Sequence, residues 1–270
     1  MLEILNTLKQ AFRCAARNIS QWPEPNSHSL RSATYDNDFG MFLYKCINIT
    51  PEEASVTLQH VAECDRMGMA RYLIEQKGAT VYPYALWEAV CKNHTGMARY
   101  LKGKSPEVEF YYSIFYGEIS SAIKYPVKAD ASLENPALWA ARGGNVEFLK
   151  NNGGFISSPE VMQEVFMKAC EGGHVPTIKL LVEHHKAEVN PEGAYMTPLA
   201  VAVYNGNFKA VKFLCEECNA DVMAGSLNAI DATEYLRHKN IDKTEIRQYL
   251  EQKRQQQQKP AAGGPQISPT

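Results

Sequence analysis

The chain has 270 residues, of which 45% are hydrophobic and 21% are charged, as in an ordinary globular protein. Its 28 basic and 30 acidic side chains leave a formal net charge of −2 without long runs of one sign, so there is no basic surface for nucleic acid. No apolar stretch approaches the roughly 18 residues that a membrane span needs. We therefore expect a cytoplasmic protein that neither binds nucleic acid nor spans a membrane.

The chain begins with a predicted amphipathic helix. Residues 1–19, MLEILNTLKQAFRCAARNI, have no basic start and carry a glutamate at position 3, which is unlike a secretion signal. Apolar residues recur there at helical spacing, at Leu5, Leu8, Phe12, Ala15 and Ile19. A mitochondrial targeting segment is the alternative, because Lys9, Arg13 and Arg17 outnumber Glu3.

A repeat follows. The hexapeptide GMARYL occurs at residues 68–73 and again at 96–101, and six segments each read as a short helix, a tight turn and a second short helix. One small residue recurs in the first helix of each, at Val61, Ala89, Ser113, Ala140, Ala169 and Ala202. Four residues later stand types that tolerate a left-handed turn, namely Asp65, Asn93, Gly117, Gly144, Gly173 and Gly206. The hexapeptide therefore marks stacked helix pairs and not a duplicated active site.

Residues 58–223 resemble ankyrin repeats. Thr197-Pro198-Leu199 with Ala202, Gly206 and Leu214 follow the family pattern closely, and Ala169, Gly173-His174 and Leu180-Leu181 match it one unit earlier. Two departures stand out: Ala200 replaces the usual histidine, and most periods are shorter than the family's roughly 33 residues. The resemblance implies an all-α, ankyrin-type solenoid of about six to seven stacked helix pairs with short inter-repeat loops, and we expect a monomer.

The ends of a solenoid need polar caps. We predict a helical cap over residues 1–57, in which residues 21–40 read as a loop, although a divergent helix pair is an alternative. Its last helix would begin with Thr50 as N-cap and Glu53 completing a capping box. We predict capping helices over residues 224–254, with Ile246 and Leu250 facing inward, and a disordered tail over residues 255–270.

No catalytic constellation is evident. The CxxC at Cys215 and Cys218 is a weak metal candidate, because a zinc site needs further ligands and buried cysteines often act as small hydrophobes. Cys91 and His94 lack an orienting third group. Seven cysteines at irregular spacing indicate reduced thiols. We predict no enzyme activity, no cofactor and no metal.

The resemblance implies a protein partner that docks on the concave surface, near the ends of the first helices. The positions two and three residues after each small residue should be exposed there. They supply the predicted partner-binding set of Glu63, Lys92, Phe115, Tyr116, Arg142, Glu171 and Tyr204. The segment EFYYSIFYGE at residues 109–118 has five aromatic residues, which either remain partly exposed or fill space in a shortened unit.

These observations favour a protein–protein interaction adaptor. The polar tail also resembles, weakly, the secretion signals of ankyrin-repeat effectors from intracellular bacteria, which would place the protein in a host-cell cytoplasm. The alternative is an enzyme that uses its repeats to recruit a substrate, with chemistry in residues 1–57 or around the CxxC.

Overall fold

The computed structural model describes residues 30–118, 135–235 and 243–258, and its regular structure in these ranges is entirely helical. The chain divides into two compact units, residues 1–112 (unit 1) and residues 113–270 (unit 2). The helix predicted at residues 1–19, and with it the targeting alternative, lies outside the described residues. In the described ranges no helix is both long enough and apolar enough to span a bilayer.

Unit 1 consists of three helix pairs and the start of a further helix. The helices are α1 (Leu30–Tyr35), α2 (Phe39–Lys45), α3 (Pro51–Glu63), α4 (Met67–Lys77), α5 (Pro83–Cys91) and α6 (Thr95–Lys102), and α7 (Pro106–Phe115) continues into unit 2. The first helices α1, α3 and α5 pack in one layer, while α2 packs against α4. Unit 1 is therefore a short stack of helix pairs.

Unit 2 repeats this arrangement. Its helices are α8 (Pro136–Gly143), α9 (Val146–Asn151), α10 (Pro159–Gly172), α11 (Val175–Glu183), α12 (Pro198–Tyr204), α13 (Phe208–Glu216), α14 (Ala229–Ala232) and α15 (Lys243–Gln258), with 3₁₀ turns at Gly153–Phe155 and Thr233–Tyr235. The first helices α8, α10, α12 and α14 form one layer, and α9, α11 and α13 form the other. The described residues thus contain six complete pairs and two further first helices, α7 and α14, which confirms the predicted all-α solenoid.

The predicted turn is present in every pair. Each small residue is buried, and its carbonyl accepts a hydrogen bond of 2.7–3.3 Å from the amide five residues later. The residue before that amide has a positive φ, at Asn37, Asp65, Asn93, Gly117, Gly144, Gly173 and Gly206. The hydrogen bond closes a left-handed C-terminal turn of the first helix. The repeat register is therefore confirmed, with one further copy centred on Ala33 and Asn37.

That further copy corrects the expected loop for residues 30–40, while residues 21–29 lie outside the described residues. Residues 30–35 and 39–45 form the helix pair α1 and α2, as in the alternative prediction. Asp38 begins α2 by accepting a hydrogen bond of 2.9 Å from the Met41 amide. Polar turn residues on both sides of short helices made this stretch look like a loop.

The start of α3 is as predicted. The Glu53 amide donates to Thr50 Oγ1 over 3.2 Å, and the Thr50 amide donates to Glu53 Oε2 over 2.9 Å. Pro51 occupies the first helical position, where its missing N–H costs nothing. The capping box is confirmed.

The last helix extends beyond the predicted boundary. Ile246 and Leu250 are buried as expected, but α15 continues to Gln258, so the tail predicted from residue 255 is wrong for residues 255–258. The Gln257 amide donates to the Ala220 carbonyl over 2.8 Å and accepts from the Val222 amide over 3.2 Å. These two bonds hold the glutamine-rich end of α15 to the backbone that follows α13.

Candidate functional site

The ends of the first helices in unit 2 form a row that we call the inner row: Phe115 and Tyr116, Arg142 and Gly143, Glu171 and Gly172, and Tyr204 and Asn205. The first three members of the row come into backbone contact with one another. A Cβ on Gly143 would lie 2.7 Å from the Phe115 carbonyl carbon, and one on Gly172 would lie 3.0 Å from the Arg142 carbonyl carbon. Only glycine allows so close an approach, so the glycines set the spacing of the row.

Arg142 does not have the exposure predicted for it. Only 7% of the residue is accessible, and its guanidinium group pairs with the Glu171 carboxylate of the next helix pair. Lys168 Nζ lies 2.9 Å from Glu171 Oε1 and 3.5 Å from Glu164 Oε1. The prediction that Arg142 is an exposed contact is therefore wrong. The close approach at Gly143 and Gly172 brings this side chain into a polar cluster, where it positions Glu171.

The aromatic side chains of the inner row remain partly exposed to solvent. Tyr116 is 41% exposed, and its ring contacts that of Phe115 edge to face at a centroid distance of 5.0 Å. Phe115 and Tyr204 are partly exposed. Earlier in α7, Phe110 and Tyr111 are buried. The five aromatic residues of residues 109–118 therefore divide between core and surface.

The predicted residues of unit 1 form a surface ion pair. Lys92 Nζ lies 3.6 Å from Glu63 Oε1, with side chains that are 36% and 26% accessible. The Glu63 carboxylate also lies 3.8 Å from His60 and 3.5 Å from the Tyr35 hydroxyl. A pair this exposed contributes little to stability, so Glu63 and Lys92 can exchange partners at small cost.

Sequence reasoning missed a side chain that, in five of the helix pairs, hydrogen-bonds the pair before it. The residue five positions after the small residue reaches back to a carbonyl at the end of the preceding first helix. The contacts are Arg66 to Thr34 and Tyr35 (3.0 and 2.7 Å), His94 to Glu63 (2.9 Å), Asn145 to Ile114 (3.0 Å) and Asn207 to Cys170 and Glu171 (3.0 and 2.9 Å). His174 bonds the Arg142 carbonyl in the same way. Five of the seven turns thus have a donor at this position, although its residue type varies, and the other two have the carboxylates of Asp38 and Glu118.

His174 is the titratable member of this series in unit 2. Its ring lies where Cβ atoms on Gly144 and Gly172 would be, at 2.6 and 2.7 Å. Burial lowers the pKa of His174; the hydrogen bond to the Arg142 carbonyl opposes this shift and the charge of Arg142 adds to it. The neutral imidazole is therefore the form that the fold prefers.

Burial favours the thiol form of both cysteines of the CxxC. Burial raises the pKa of Cys215 to about 12 and that of Cys218 to about 11, whereas a nucleophilic or metal-binding cysteine is a thiolate. The described residues contain no group of three or more histidine, cysteine or acidic side chains that could hold a metal. His94, the possible base for Cys91, instead forms a hydrogen bond of 2.9 Å with the Glu63 carbonyl.

The geometry defines the class of protein: a helix-pair solenoid whose first helices end in left-handed turns. Residues 137–226 match the family model of ankyrin repeats in three copies. Residues 137–226 are thus ankyrin repeats. Such repeats generally serve as protein–protein interaction modules.

One solved structure that is similar to this chain is the human ASB11 ankyrin repeat domain. The two are 16% identical, and the match covers 87% of this chain and 100% of that one with a TM-score of 0.37. A search of the curated proteins finds none that matches the sequence. The family assignment rests on the family model and the helix register, and not on this likeness.

Proposed function

We propose that this protein is a non-catalytic adaptor that binds an extended segment of a partner protein along the inner row of unit 2. The observation that supports this most directly is the exposure of Tyr116, 41% of whose surface is accessible while its ring rests on Phe115. Tyrosine is enriched at interface hot spots because it offers a large rigid surface with a polar end. Tyr204 lies at the other end of the row.

The dimensions of the row indicate the size of the segment. Tyr116 and Tyr204 follow α7 and end α12, three helix steps apart. At roughly 8–10 Å per packed helix, the row is about 25–30 Å long. An extended chain advances about 3.3 Å per residue, so a segment of roughly eight or nine residues would span it.

The centre of the row suggests the chemistry of that segment. Arg142, Lys168, Glu164 and Glu171 compensate one another's charge, and Glu171 retains an accessible surface. An unpaired charge placed there by a partner would have to displace an existing ion pair. The proposed segment therefore has apolar or aromatic side chains near both ends and neutral polar side chains between them. Glu63 and Lys92 remain proposed contacts in unit 1.

The enzyme alternative receives no support from its named cysteines. Cys215 and Cys218 are held as thiols by burial, and Cys215 is only 8% exposed. The proposed protein is accordingly a cytoplasmic, monomeric adaptor that binds protein rather than nucleic acid. Translocation as an effector would be tested separately, by a secretion assay with residues 259–270 removed.

The test uses affinity capture from a cell lysate with matched variants. Tyr116→Ala and Tyr204→Ala each remove a ring from the row, while Tyr195→Ala removes a ring that is 69% exposed outside it. A partner that uses the row should lose about thirtyfold in affinity, or about 2 kcal/mol, with either row variant. It should bind the Tyr195 variant as it binds the wild type. A partner that binds all three variants equally well would refute the proposed site.

A further inference from the structure

The two copies of GMARYL lie on the second helices of neighbouring pairs, in α4 and α6. In each copy the methionine, the alanine and the leucine are buried, which turns the arginine towards solvent on the opposite side of the helix. Arg71 and Arg99 occupy this position, and both are exposed. We call residues 67–77 and 95–104 the outer face of unit 1. The duplication places one arginine on each of its two helices.

The outer face is positively charged although the chain as a whole is not. It carries five basic side chains and one acidic side chain, whereas the whole sequence has a formal net charge of −2. Among the described residues, no ion pair involves Arg71, Arg99 or Lys104. An anion that approaches these three cations therefore has no existing ion pair to displace.

Aromatic rings, and not carboxylates, hold the cations of the outer face in place. Arg71 Cζ lies 5.6 Å and Lys104 Nζ lies 4.3 Å from the centre of the Tyr100 ring. The first copy has a similar arrangement, with Lys77 Nζ 5.8 Å from the centre of the Tyr72 ring. A tyrosine ring attracts a cation through its quadrupole but has no net charge. The positive charge of the outer face is thus ordered without being neutralised.

We propose that the outer face binds an acidic segment of a partner protein in the polyproline II conformation, with carboxylates three residues apart. Helices packed side by side are about 8–10 Å apart, which approximates the step from Arg71 to Arg99. A polyproline II chain rises about 3.1 Å per residue with about three residues per turn. Side chains three residues apart therefore lie on the same side of the segment, about 9 Å from each other. Each carboxylate can accept two hydrogen bonds from one guanidinium group.

The one carboxylate of the outer face favours such a segment over other polyanions. Glu75 accepts a hydrogen bond of 3.1 Å from the Tyr100 hydroxyl, and it follows Arg71 by about one helical turn. A nucleic-acid backbone or an anionic bilayer presents closely spaced charges, some of which would lie against Glu75. A segment with neutral residues between its carboxylates avoids this repulsion.

The Tyr100 ring also argues against a nucleic acid. Two cations already contact the ring, so it is not open for the stacking of a base, which single-stranded nucleic acids require of aromatic side chains. This proposal concerns unit 1 and does not rest on the function proposed for the inner row.

The test is an NMR titration of the ¹⁵N-labelled full-length chain with the peptide Glu-Pro-Pro-Glu-Pro-Pro-Glu (the spaced peptide), whose prolines favour the polyproline II conformation. At low ionic strength we expect a dissociation constant of about 1 mM or lower, with amide shifts concentrated in residues 67–77 and 95–104. An ionic strength of about 1 M, where the Debye length is about 3 Å, should abolish binding. The peptide Pro-Pro-Glu-Glu-Glu-Pro-Pro has the same composition and charge. It should bind at least about threefold more weakly, because its carboxylates do not match the step between the arginines.

Substitutions in the outer face test the roles of its charges. Arg71→Gln and Arg99→Gln should each weaken binding of the spaced peptide about threefold to fivefold, and the double variant should weaken it about tenfold or more. Arg31→Gln is the matched control, because it removes the same charge from an exposed side chain of the first-helix layer, and it should leave the affinity unchanged. Glu75→Gln should reduce the preference for the spaced peptide, since the surface between the arginines no longer repels charge. Circular dichroism would establish that each variant is folded.

Three results would overturn the proposal: no amide shifts in the outer face, equal affinity of the wild type for the two peptides, or equal affinity of the wild type and the double variant for the spaced peptide. Oligothymidylate and phosphatidylserine vesicles test the other polyanions. Tighter binding of either than of the spaced peptide, lost in the double variant, would identify a different class of partner and overturn the acidic segment as the occupant.

Discussion

The contact at Gly143 predicts that alanine at this position destabilises the protein, although alanine has the higher helix propensity. Gly143 is the last residue of α8, and a Cβ there would lie 2.7 and 2.9 Å from the carbonyl carbon and Cα of Phe115. These backbone atoms cannot rotate away as the end of a side chain can. Overpacking of this kind costs up to about 3 kcal/mol, whereas Gly→Ala within a helix gains at most about 1 kcal/mol. Gly143→Ala should therefore destabilise the protein by about 2 kcal/mol.

Thermal unfolding followed by far-ultraviolet circular dichroism measures this effect. At 2–4 °C per kcal/mol for a chain of about this size, the midpoint should fall by about 4–8 °C. Gly68→Ala is the matched control, because Gly68 is helical in α4 and a Cβ there would meet nothing within 4 Å. That variant should keep its midpoint or gain up to about 4 °C. A higher midpoint for Gly143→Ala as well would refute the close approach of Gly143 to the Phe115 backbone.

Three further predictions concern side chains that bond the backbone of another segment. Asn145→Ala should lower the free energy of unfolding by about 2 kcal/mol in urea titration, because it removes both the buried hydrogen bond to the Ile114 carbonyl and the cap of α9. An unchanged midpoint would contradict this. His174→Asn should reduce the loss of thermal stability between pH 7 and pH 5. Burial lowers the pKa of His174 in the folded state. The stabilising effect of the neutral side chain is therefore complete above the unfolded pKa of about 6.5 and is lost as the pH falls towards the folded pKa. Equal loss of stability in the wild type and the His174 variant would contradict this. Gln257→Ala should lower the free energy of unfolding by about 1 kcal/mol, and Gln256→Ala should leave it nearly unchanged, since of the two only Gln257 bonds the backbone of the preceding repeat. Equal effects of the two substitutions would show that the Gln257 hydrogen bonds do not stabilise the fold.

The helix register could be predicted because the turn restricts its residue types. A left-handed residue must be glycine, asparagine or aspartate in most cases, and a buried small residue must stand four positions before it. Asp65 and Gly206 are 141 residues apart and satisfy both conditions. The capping box at Thr50 is predictable for the same reason, since only a few side chains can accept from the exposed amides of a helix start.

The hydrogen bonds between repeats could not be predicted from residue type. Arginine, histidine and asparagine all serve at the same position, in Arg66, His94 and Asn145. The requirement is one N–H group at the right distance, which several side chains satisfy. The signal becomes visible only once the turn register is known, because each of these donors directly follows a left-handed residue.

The burial of Arg142 depends on packing that composition does not reveal. The same register position is partly exposed in Phe115, Glu171 and Tyr204, and the difference arises from the glycines beside it and the acidic partner in the following helix. Likewise, α15 extends to Gln258 because Gln257 finds a backbone partner. Residues 255–258 read as a polar tail in isolation.

The hydrogen bonds between neighbouring repeats are accepted by main-chain carbonyl oxygens. They therefore do not depend on which side chains the preceding pair carries. A copied helix pair would find a compatible junction wherever it was inserted, without compensating changes in its neighbour. The two identical copies of GMARYL, which follow Arg66 and His94, fit growth by duplication. Interchangeable joints of this kind let individual repeats diverge in length and surface while the stack continues to assemble.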